Sequence, residues 1–310
     1  MRIAITGTTG RVGAALLKRL GSSHEVTALP RAVCDLADAG SLKAALAGLD
    51  CDVFINPAAM TNLEACEDDP RLAMRVNSAA PGKIALWAAE RGVRVIHFST
   101  DYVFSGGSVF PLSEEMAPEP LSAYGRSKLA GEEVVRTGPL PWTILRPPMV
   151  YGPRDTEVLK LFKMATWGVA PVFGKGDQEL SAIFGPDLAE ALIAAGTSAN
   201  TLGKTYLPCH PEVFTSGAFA RQIGTAVGRD VLVLSVPEVI GRGLLAAIGG
   251  AAKLTGTASV LSSEKADEFF EAAWTGSPAA LTADTGWHPR TDIATGLAET
   301  MAWYRMENWI

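Results

Sequence analysis

The sequence lacks a basic excess and long apolar runs. Its 310 residues include 27 lysine and arginine residues against 33 aspartate and glutamate residues, so no surplus of cations is left to neutralise nucleic-acid phosphates. No apolar run approaches the roughly 18 residues that span a bilayer. We therefore expect neither a nucleic acid nor a membrane among the partners of this protein.

Cysteine and histidine are also scarce. The four cysteines include no C-x-x-C pair, which fits neither a disulfide framework nor a zinc site. The four histidines are scattered, so we predict no catalytic metal. The first residues lack the basic and then apolar pattern of a signal peptide. A reducing cytoplasm is the simplest location for such a chain.

The composition that remains is that of a folded protein. Hydrophobic residues make up 48% of the chain and charged residues 19%, whereas disordered chains are poor in apolar residues and rich in charge. At roughly 150 residues per domain, the length suggests about two domains.

Short β-branched runs alternate with helical patterns in the first half of the chain. This alternation is typical of β-α-β units and predicts an α/β fold with a doubly wound parallel sheet. The predicted strands cover residues 3–6, 25–29, 53–56, 93–99 and 142–146. The predicted helices cover residues 11–20, 42–46, 72–91 and 122–135.

The alternation stops after residue 151, where a smaller and mostly helical region begins. We predict a dinucleotide-binding domain over residues 1–150 and a substrate-binding domain over 151–184 and 209–285. Residues 185–208 and the carboxy-terminal helix are expected to pack back on the first domain. Residues 101–121 are rich in glycine and proline, and we predict an ordered loop there, over a site.

A glycine turn follows the first predicted strand and opens the first helix. Gly7, Gly10 and Gly13 have the spacing G-x-x-G-x-x-G. Glycines at this place let the backbone approach a pyrophosphate, and the amides and dipole of the following helix hold its charge. The turn therefore predicts a dinucleotide cofactor, bound by the three glycines together with Thr9, Arg11 and Val12.

The end of the second predicted strand bears on the choice of coenzyme. NAD-binding folds usually place an acid there for the adenosine ribose, but this chain has Pro30 and Arg31. A guanidinium suits a 2'-phosphate, and Arg11 could join it. We therefore predict NADP(H) in preference to NAD(H), with a solvated Arg31 as the alternative.

A second motif pairs a tyrosine with a lysine. Tyr124 and Lys128 are four residues apart, so on a helix they share a face. A phenol with a pKa near 10 is a poor acid or base at neutral pH, and an adjacent ammonium would bring that pKa toward the working range. Thr100 ends the fourth predicted strand, 24 residues earlier.

Together these motifs resemble the extended short-chain dehydrogenase/reductases, and most of all the dTDP-4-dehydrorhamnose reductase branch. The resemblance implies a Rossmann-type sheet. It is dense to about residue 152 and thins afterwards. It rests on the glycine turn, Asp35-Leu36, Asn56-Pro57-Ala58-Ala59, Asn77, the Ser99 to Phe104 stretch and Tyr124-Gly125-Arg126-Ser127-Lys128.

The resemblance implies catalytic roles for four residues. Tyr124 would donate a proton to a carbonyl oxygen, and Thr100 would hydrogen-bond the same carbonyl. Lys128 would hold the nicotinamide ribose and tune Tyr124. Asn77 would belong to a proton relay or brace the central helix.

It also implies contacts with the rest of the cofactor. Asp35 would meet the adenine edge, with Leu36 beside it. Ala58 and Ala59 would line the bound cofactor.

The absence of one acidic residue limits the reactions that this protein could catalyse. Related dehydratases place Thr-Asp-Glu after this strand, whereas this chain has Thr100-Asp101-Tyr102. The missing glutamate argues against dehydration and leaves ketone reduction or alcohol oxidation by hydride transfer. Epimerisation through a transient ketone stays open. Asp101 and Tyr102 are candidate substrate contacts.

The substrate, a small-molecule carbonyl or alcohol, is less well defined. Many nucleotide-sugar members carry Gly-x-Gly-x-Gln-x-Arg, and here Leu180 stands in place of the arginine. Arg154 could supply a diphosphate contact instead, or it could be a solvated loop charge. An apolar helix predicted at 239–254 could line a pocket for a lipid, polyketide or terpenoid ketone, or could serve packing alone.

Three functions therefore compete. The first is reduction of a nucleotide-sugar ketone such as a dTDP-4-keto-6-deoxysugar. The second is the same chemistry on a non-sugar ketone. The third is a non-catalytic regulatory subunit, because the same branch is similar to the beta subunit of methionine adenosyltransferase. The resemblance also implies a homodimer through a four-helix bundle of the helices at 72–91 and 122–135.

Overall fold

A computed structural model of the chain describes residues 1–21, 24–105, 111–243 and 271–310. Its strands in chain order are β1 Arg2–Thr6, β2 Glu25–Leu29, β3 Val53–Asn56, β4 Arg94–Phe98, β5 Trp142–Leu145, β6 Met149–Tyr151, β7 Val169–Phe173, β8 Glu179–Leu180, β9 Ala182–Phe184, β10 Lys204–Tyr206, β11 Phe214–Thr215, β12 Leu232–Val236 and β13 Ala273–Trp274.

The helices surround these strands. In chain order they are α1 Arg11–Leu20, α2 Ala39–Ala47, α3 Leu63–Asp68, α4 Pro70–Met74, α5 Ala80–Arg91, α6 Ala123–Arg136, α7 Thr156–Thr166, α8 Gly185–Thr197, α9 Ser216–Val227, α10 Ala279–Thr285 and α11 Ile293–Met306.

Six strands form a parallel sheet in the order β10-β5-β4-β3-β1-β2. Its apolar strands are covered on one face by α1 and α8 and on the other by α2 and α5. The chain passes from β1 to β2 on one side and then to β3 on the other, so the strand order reverses between β1 and β3. Ligands of such sheets bind in the crevice at the carboxyl ends of these strands. The predicted Rossmann-type doubly wound sheet is confirmed.

Residues 185–208 pack on this sheet, as the sequence predicted. Helix α8 lies against α1, and β10 extends the sheet beyond β5. The division into two domains itself stays a prediction.

The carboxy-terminal helix is placed differently from the prediction. Helix α11 packs on α9, in a cluster that includes Tyr151, Phe162, Phe219 and Tyr304. The large aromatic rings of that cluster supply more apolar contact for α11 than the sheet, whose faces are already covered. Helix α10 is the element near the end that joins the sheet side, because Leu281 lies in the same core as β1 and α8.

In its described part, the smaller region contains strands as well as helices. Residues 212–280 contain α9 but also β11, β12 and β13 in the described part, and these pair with β8 and β7. Of the apolar helix predicted at 239–254, residues 239–243 are helical, and the rest lies outside the described residues. Within the described ranges, no helix has the length and apolar character of a membrane span.

The helix predicted at 72–91 is interrupted by a π turn over Arg75–Ala79, between α4 and α5. Pro81 explains the interruption, because it has no amide to donate to the Asn77 carbonyl of a regular α-helix. Wide turns of this kind occur often at functional sites. Here the turn carries Asn77, whose side chain is buried.

Candidate active site

The glycine turn lies at the crevice between β1 and β3. Gly7 has a φ of +58°, in the left-handed region that glycine adopts without strain. A Cβ on Gly13 would overlap the Gly7 carbonyl, so this glycine lets α1 start directly against the turn. Gly10 caps α1 without a side-chain hydrogen bond, and the first turn of α1 has no acidic residue. Such an unblocked helix N-terminus fits a dinucleotide diphosphate.

The loop after β3 is fixed against this turn. The Thr6 hydroxyl donates to Asn56 Oδ1 at 2.6 Å and accepts from the Ala58 amide at 3.3 Å. A Cβ on Gly7 would lie 3.0 Å from the Ala58 Cβ. The structure therefore brings Ala58 to the glycine turn, with Ala59 next to it in the chain.

The residues predicted at the adenine end lie together after β2. Arg31 Nε donates to Asp35 Oδ2 at 3.2 Å, and the Arg31 side chain is 82% exposed. The Ala37 amide and then Arg31 lower the pKa of the Asp35 carboxyl. Leu36 is buried in the core with Leu42. Asp35 is thus a carboxylate next to Arg31, the first of the two arginines that were expected to bind a 2'-phosphate.

Arg11 does not join Arg31. Its guanidinium donates to the Val150 carbonyl and to Asp155 Oδ2, the latter at 2.5 Å. Asp155 is buried, and burial raises its pKa while Arg11 lowers it. A buried carboxylate needs a cation, and this need holds the Arg11 side chain. Joint recognition of a 2'-phosphate by both arginines is therefore not the arrangement in this structure.

Arg154 lies at the glycine turn. Its guanidinium donates to the Thr9 carbonyl at 3.3 Å, and its φ of +69° is unusual for a residue with a side chain. The sequence assigned Arg154 to the substrate, whereas this contact places it beside the predicted cofactor segment that also contains Val12. No property of the sequence around 154 indicates that contact.

Thr100 and Tyr124 meet at the carboxyl end of β4. Thr100 caps a short 3₁₀ helix over Asp101–Val103 and accepts from the Tyr102 amide. Ser122 caps α6 through the Gly125 amide at 3.0 Å, so α6 begins where Tyr124 is needed. The Thr100 hydroxyl donates to Asp101 Oδ1 at 3.1 Å, and hydrogen bonding with Thr100 lowers the pKa of the Tyr124 phenol.

The electrostatics of Tyr124 differ from the expectation. Burial raises the pKa of the phenol well above its usual value of 10, and Asp101 raises it further, while the bond with Thr100 lowers it. Desolvation disfavours the phenolate more than its neighbours favour it. Tyr124 is therefore protonated at neutral pH and can act as a proton donor.

Lys128 lies one turn along α6 and is buried. Its Nζ donates to the carbonyl of Phe98, the last residue of β4. Burial lowers the pKa of Lys128 from 10.5 to about 8, against the opposing effects of Glu132 and Cys66. An ammonium with such a pKa gains or loses a proton near physiological pH.

Asn77 braces the first turns of α6. Its Nδ2 donates to the Met60 carbonyl at 2.8 Å and to Ser127 Oγ at 2.9 Å, and its Oδ1 accepts from the Met60 amide. Ser127 Oγ in turn donates to the Tyr124 carbonyl at 2.8 Å. Of the two roles expected for Asn77, these contacts support the brace.

Tyr102 leads to residues that sequence reasoning missed. Its ring meets Tyr124 edge to face at 5.7 Å and stacks on Trp274 at 5.6 Å. Trp274 pairs in register with Leu180, across β13 and β8. We call Tyr102, Trp274 and Leu180 the aromatic wall. No local signal in the sequence indicated the contact of Trp274 with Tyr102.

No cluster of three or more potential metal ligands occurs in the described part of the chain. The absence of a catalytic metal stays a prediction.

The doubly wound sheet, the glycine turn and the Thr100, Tyr124 and Lys128 cluster together define a Rossmann-type protein of the short-chain dehydrogenase/reductase class. Residues 1–239 match the family described as RmlD substrate binding domain, and the chain belongs to that family. The resemblance found in the sequence is confirmed.

Named relatives agree with this membership. The chain is 32% identical over 251 residues to a probable low-salt glycan biosynthesis reductase, Agl14, from Haloferax volcanii, covering 74% of this chain and 81% of the relative. It is 32% identical over 223 residues to a dTDP-4-dehydrorhamnose reductase from Burkholderia thailandensis, covering 71% and 72%. A dTDP-4-dehydrorhamnose reductase from Bacillus anthracis str. Ames, solved in complex with NADP, superposes with a TM-score of 0.74 at 21% identity, over 97% and 98% of the two chains. This last likeness shows the fold.

Proposed function

We propose that this protein reduces the ketone of a nucleotide sugar, with a nicotinamide coenzyme as hydride donor and Tyr124 as proton donor. The observation that carries the proposal is a buried, protonated phenol whose pKa responds to Thr100 and which lies one helical turn from Lys128. The names of the relatives support the substrate class, since they describe reductases of a dTDP sugar and of glycan biosynthesis.

The coenzyme fits the crevice between β1 and β3. The glycine turn would hold the diphosphate, Ala58 and Ala59 would line the bound coenzyme, and Asp35 with Leu36 would meet the adenosine. Lys128 would hold the nicotinamide ribose. The bound coenzyme supplies the hydride to the carbonyl carbon.

The proton comes from the protein. In our proposal the ketone oxygen accepts hydrogen bonds from Thr100 and Tyr124, which polarise the carbonyl. Tyr124 passes its phenolic proton to this oxygen as negative charge develops there. The high pKa of the buried phenol keeps the proton available. In our proposal the Lys128 ammonium, one helical turn along α6, would stabilise the phenolate that is left.

Replacement of Tyr124 by phenylalanine tests this role. We expect Tyr124→Phe to lower turnover by about 10²- to 10⁴-fold, because general acid catalysis contributes that range. Coenzyme affinity, measured by fluorescence titration, should stay within about twofold. Tyr151→Phe is the matched control, since it removes a buried phenol that lies in the α11 cluster. Near-normal turnover of Tyr124→Phe would refute the proposal.

We further propose a preference for NADP(H). Its support is the exposed guanidinium of Arg31 after β2 and the NADP bound to the Bacillus anthracis reductase. Arg31→Ala should raise the dissociation constant for NADPH about tenfold or more and leave that for NADH unchanged. Arg19→Ala, a surface arginine on α1, serves as the control. A lower Michaelis constant for NADH than for NADPH in the unmodified protein would overturn this preference.

A non-sugar ketone is the second candidate substrate, and the aromatic wall favours it. Leu180 stands where nucleotide-sugar relatives were expected to carry an arginine, and it packs against Trp274 in an apolar cluster. A panel of nucleotide-4-ketosugars and simple ketones, followed by the loss of reduced-nicotinamide absorbance, separates the candidates. Turnover of nucleotide sugars alone supports the first and turnover of apolar ketones alone the second. Binding of coenzyme without turnover of any substrate would indicate a regulatory subunit.

We also propose a homodimer that packs α5 and α6 of each protomer into a four-helix bundle. Leu86 on α5 supports this, since it is a large apolar side chain that is 65% exposed. A cytoplasmic location is supported by four cysteines that are all free thiols. Sedimentation would test the assembly, and a stable monomer at micromolar concentration would count against it.

A further inference from the structure

Helix α6 presents more than the two residues of the proposed chemistry. Tyr124, Lys128 and Glu132 follow one another at intervals of four, so they share one face of the helix. All three are buried, and Glu132 is 0% exposed. We call this the ionic face of α6. A buried carboxylate in a core is costly unless it is paired, so its presence here needs an explanation.

Glu132 is held in place by two arginines. Arg146, directly after β5, donates from Nε to Oε1 at 2.8 Å and from an Nη to Oε2 at 2.7 Å. Arg136 donates to Oε2 at 3.0 Å from the more exposed end of α6. Arg146 is itself fixed, because its guanidinium lies 5.0 Å from the centre of the Phe104 ring. The position of the carboxylate charge is therefore rigid.

Stability alone does not explain why the protein buries the ion pair of Glu132 and Arg146. A buried ion pair replaced as a unit by apolar side chains is often neutral or stabilising. The pair as a whole is neutral, but its carboxylate lies on the face of α6 that carries Lys128, one helical turn away, where it raises the pKa of Lys128. Lys128 Nζ donates to a backbone carbonyl, that of Phe98.

Two other ionisable groups that interact with Lys128 are neutral at physiological pH. Cys66 on α3 has a pKa raised to about 11 by burial, so it is a thiol. His97 on β4 is completely buried, and burial and Lys128 hold its pKa well below 6.5. The hydroxyl of Ser99 is buried without a hydrogen-bond partner. Asp101 carries a charge, but its effect falls on Tyr124.

We propose that Glu132, fixed by Arg146, is a positioning residue that keeps Lys128 in its ammonium form beside Tyr124. The inference rests on the proposed function, in which the ammonium stabilises the phenolate left after proton transfer. Without the carboxylate, desolvation would favour the neutral amine at lower pH. The phenolate would then lose the ammonium that lies one helical turn away on α6, and the proton transfer would become harder.

The test is the protonation midpoint of Lys128 in the whole protein. Lysine labelled with ¹³C at Cε gives a resonance whose shift reports that midpoint, and Lys128→Met assigns it by its disappearance. We expect a midpoint near pH 8 in the unmodified protein. In Glu132→Gln it should fall by about one pH unit or more, because an opposite charge one helical turn away is lost. Glu133→Gln, an exposed residue on the same helix, should leave it unchanged.

A second variant covers the possibility that Glu132→Gln fails to fold with Arg146 unpaired. The double variant Glu132→Leu with Arg146→Met removes the carboxylate and a guanidinium together, so it should lower the midpoint, but by less than Glu132→Gln does. An unchanged midpoint in either folded variant overturns the proposal. The readout needs no turnover, so it is distinct from the Tyr124→Phe test. A lowered midpoint with normal turnover of Tyr124→Phe would leave this electrostatic link standing and refute the proposed function.

Discussion

The surroundings of Tyr124 are charged on one side and aromatic on the other. The charged side lies along α6, and the aromatic side is formed by segments that are distant in the sequence. Along α6, the protein buries the charges of Lys128 and Glu132 on the ionic face. Across the chain, it places the rings of Tyr102 and Trp274 in contact, with Leu180 beside them. The ionic face comes from one helix, whereas the aromatic wall is assembled from three separate segments. The comparison indicates that the charged surroundings of Tyr124 are built within one helix, whereas its aromatic surroundings depend on tertiary contacts.

Breaking the ionic face should have the largest effect on stability. We expect Arg146→Met to lower the free energy of unfolding by roughly 3–5 kcal/mol, because it leaves the Glu132 carboxylate buried with only Arg136 as a partner. Urea denaturation measures the change. The double variant with Glu132→Leu should lie within about 1 kcal/mol of the unmodified protein. A single variant as stable as the double one would show that the charges are not coupled.

Lys128 should give the ionic face a distinctive pH dependence. The unfolded chain keeps the lysine proton up to about pH 10.5, whereas the folded protein loses it near pH 8. Between these values the unfolded state binds more protons, so stability rises with pH. We expect Lys128→Met to be more stable than the unmodified protein by about 3 kcal/mol below pH 8. This difference should shrink toward pH 10.5.

The measurement is the difference in the free energy of unfolding between the two proteins at pH 7, 8, 9 and 10. Groups other than Lys128 titrate in both proteins, so their effects largely cancel in this difference. A difference that stays constant over this range would show that Lys128 is not the titrating group.

Disturbing the aromatic wall should lower the stability of the protein less than breaking the ionic face does. We expect Trp274→Leu to lower stability by about 2 kcal/mol, since it removes the stack on Tyr102 but leaves apolar bulk in place. The Michaelis constant of an accepted substrate should change more than coenzyme affinity does. Trp167→Leu is the control, because Trp167 is 77% exposed and should move stability by less than about 0.5 kcal/mol. Equal losses of stability in Trp274→Leu and Trp167→Leu would show that the stack of Trp274 on Tyr102 adds no stability of its own.

The smallest expected effect is at the joint between Asn77 and α6. Ser127→Ala removes one hydroxyl that accepts from Asn77 and donates to the Tyr124 carbonyl. We expect a loss of about 1 kcal/mol in thermal or chemical denaturation. Ser122→Gly, at the cap of the same helix, should cost only a few tenths of a kcal/mol by comparison. A neutral Ser127→Ala would indicate that the brace does not depend on this hydroxyl.

The contrast between the ionic face and the aromatic wall also explains which features could be predicted from the sequence. The glycine turn and the Tyr124 and Lys128 pair are local patterns with fixed spacings, and the strands around them follow from apolar runs. The predicted bounds of β2, β3 and α1 agree with the structure. Local backbone chemistry therefore suffices to place the cofactor segment and the proposed acid.

The remaining features depend on contacts between distant segments. Trp274 reaches Tyr102 only because β13 pairs with β8, and a two-residue strand leaves no periodic signal. Arg154 reaches Thr9, and Arg11 reaches Asp155, through the fold of a loop. The π turn is the exception, because Pro81 inside a predicted helix is a signal that could have located it.

Gly131 limits how far mutation can change the packing of α6 on the π turn. A Cβ at this position would overlap the Asn77 carbonyl and lie 3.3 Å from His97 Nε2, so α6 rests on the π turn with backbone atoms alone. The distance between α6 and the π turn is thus set by backbone atoms. Substitutions of side chains elsewhere leave it unchanged. A single added methyl group at Gly131 would push the whole helix outward. It would carry the phenol of Tyr124 away from Thr100 without touching either residue.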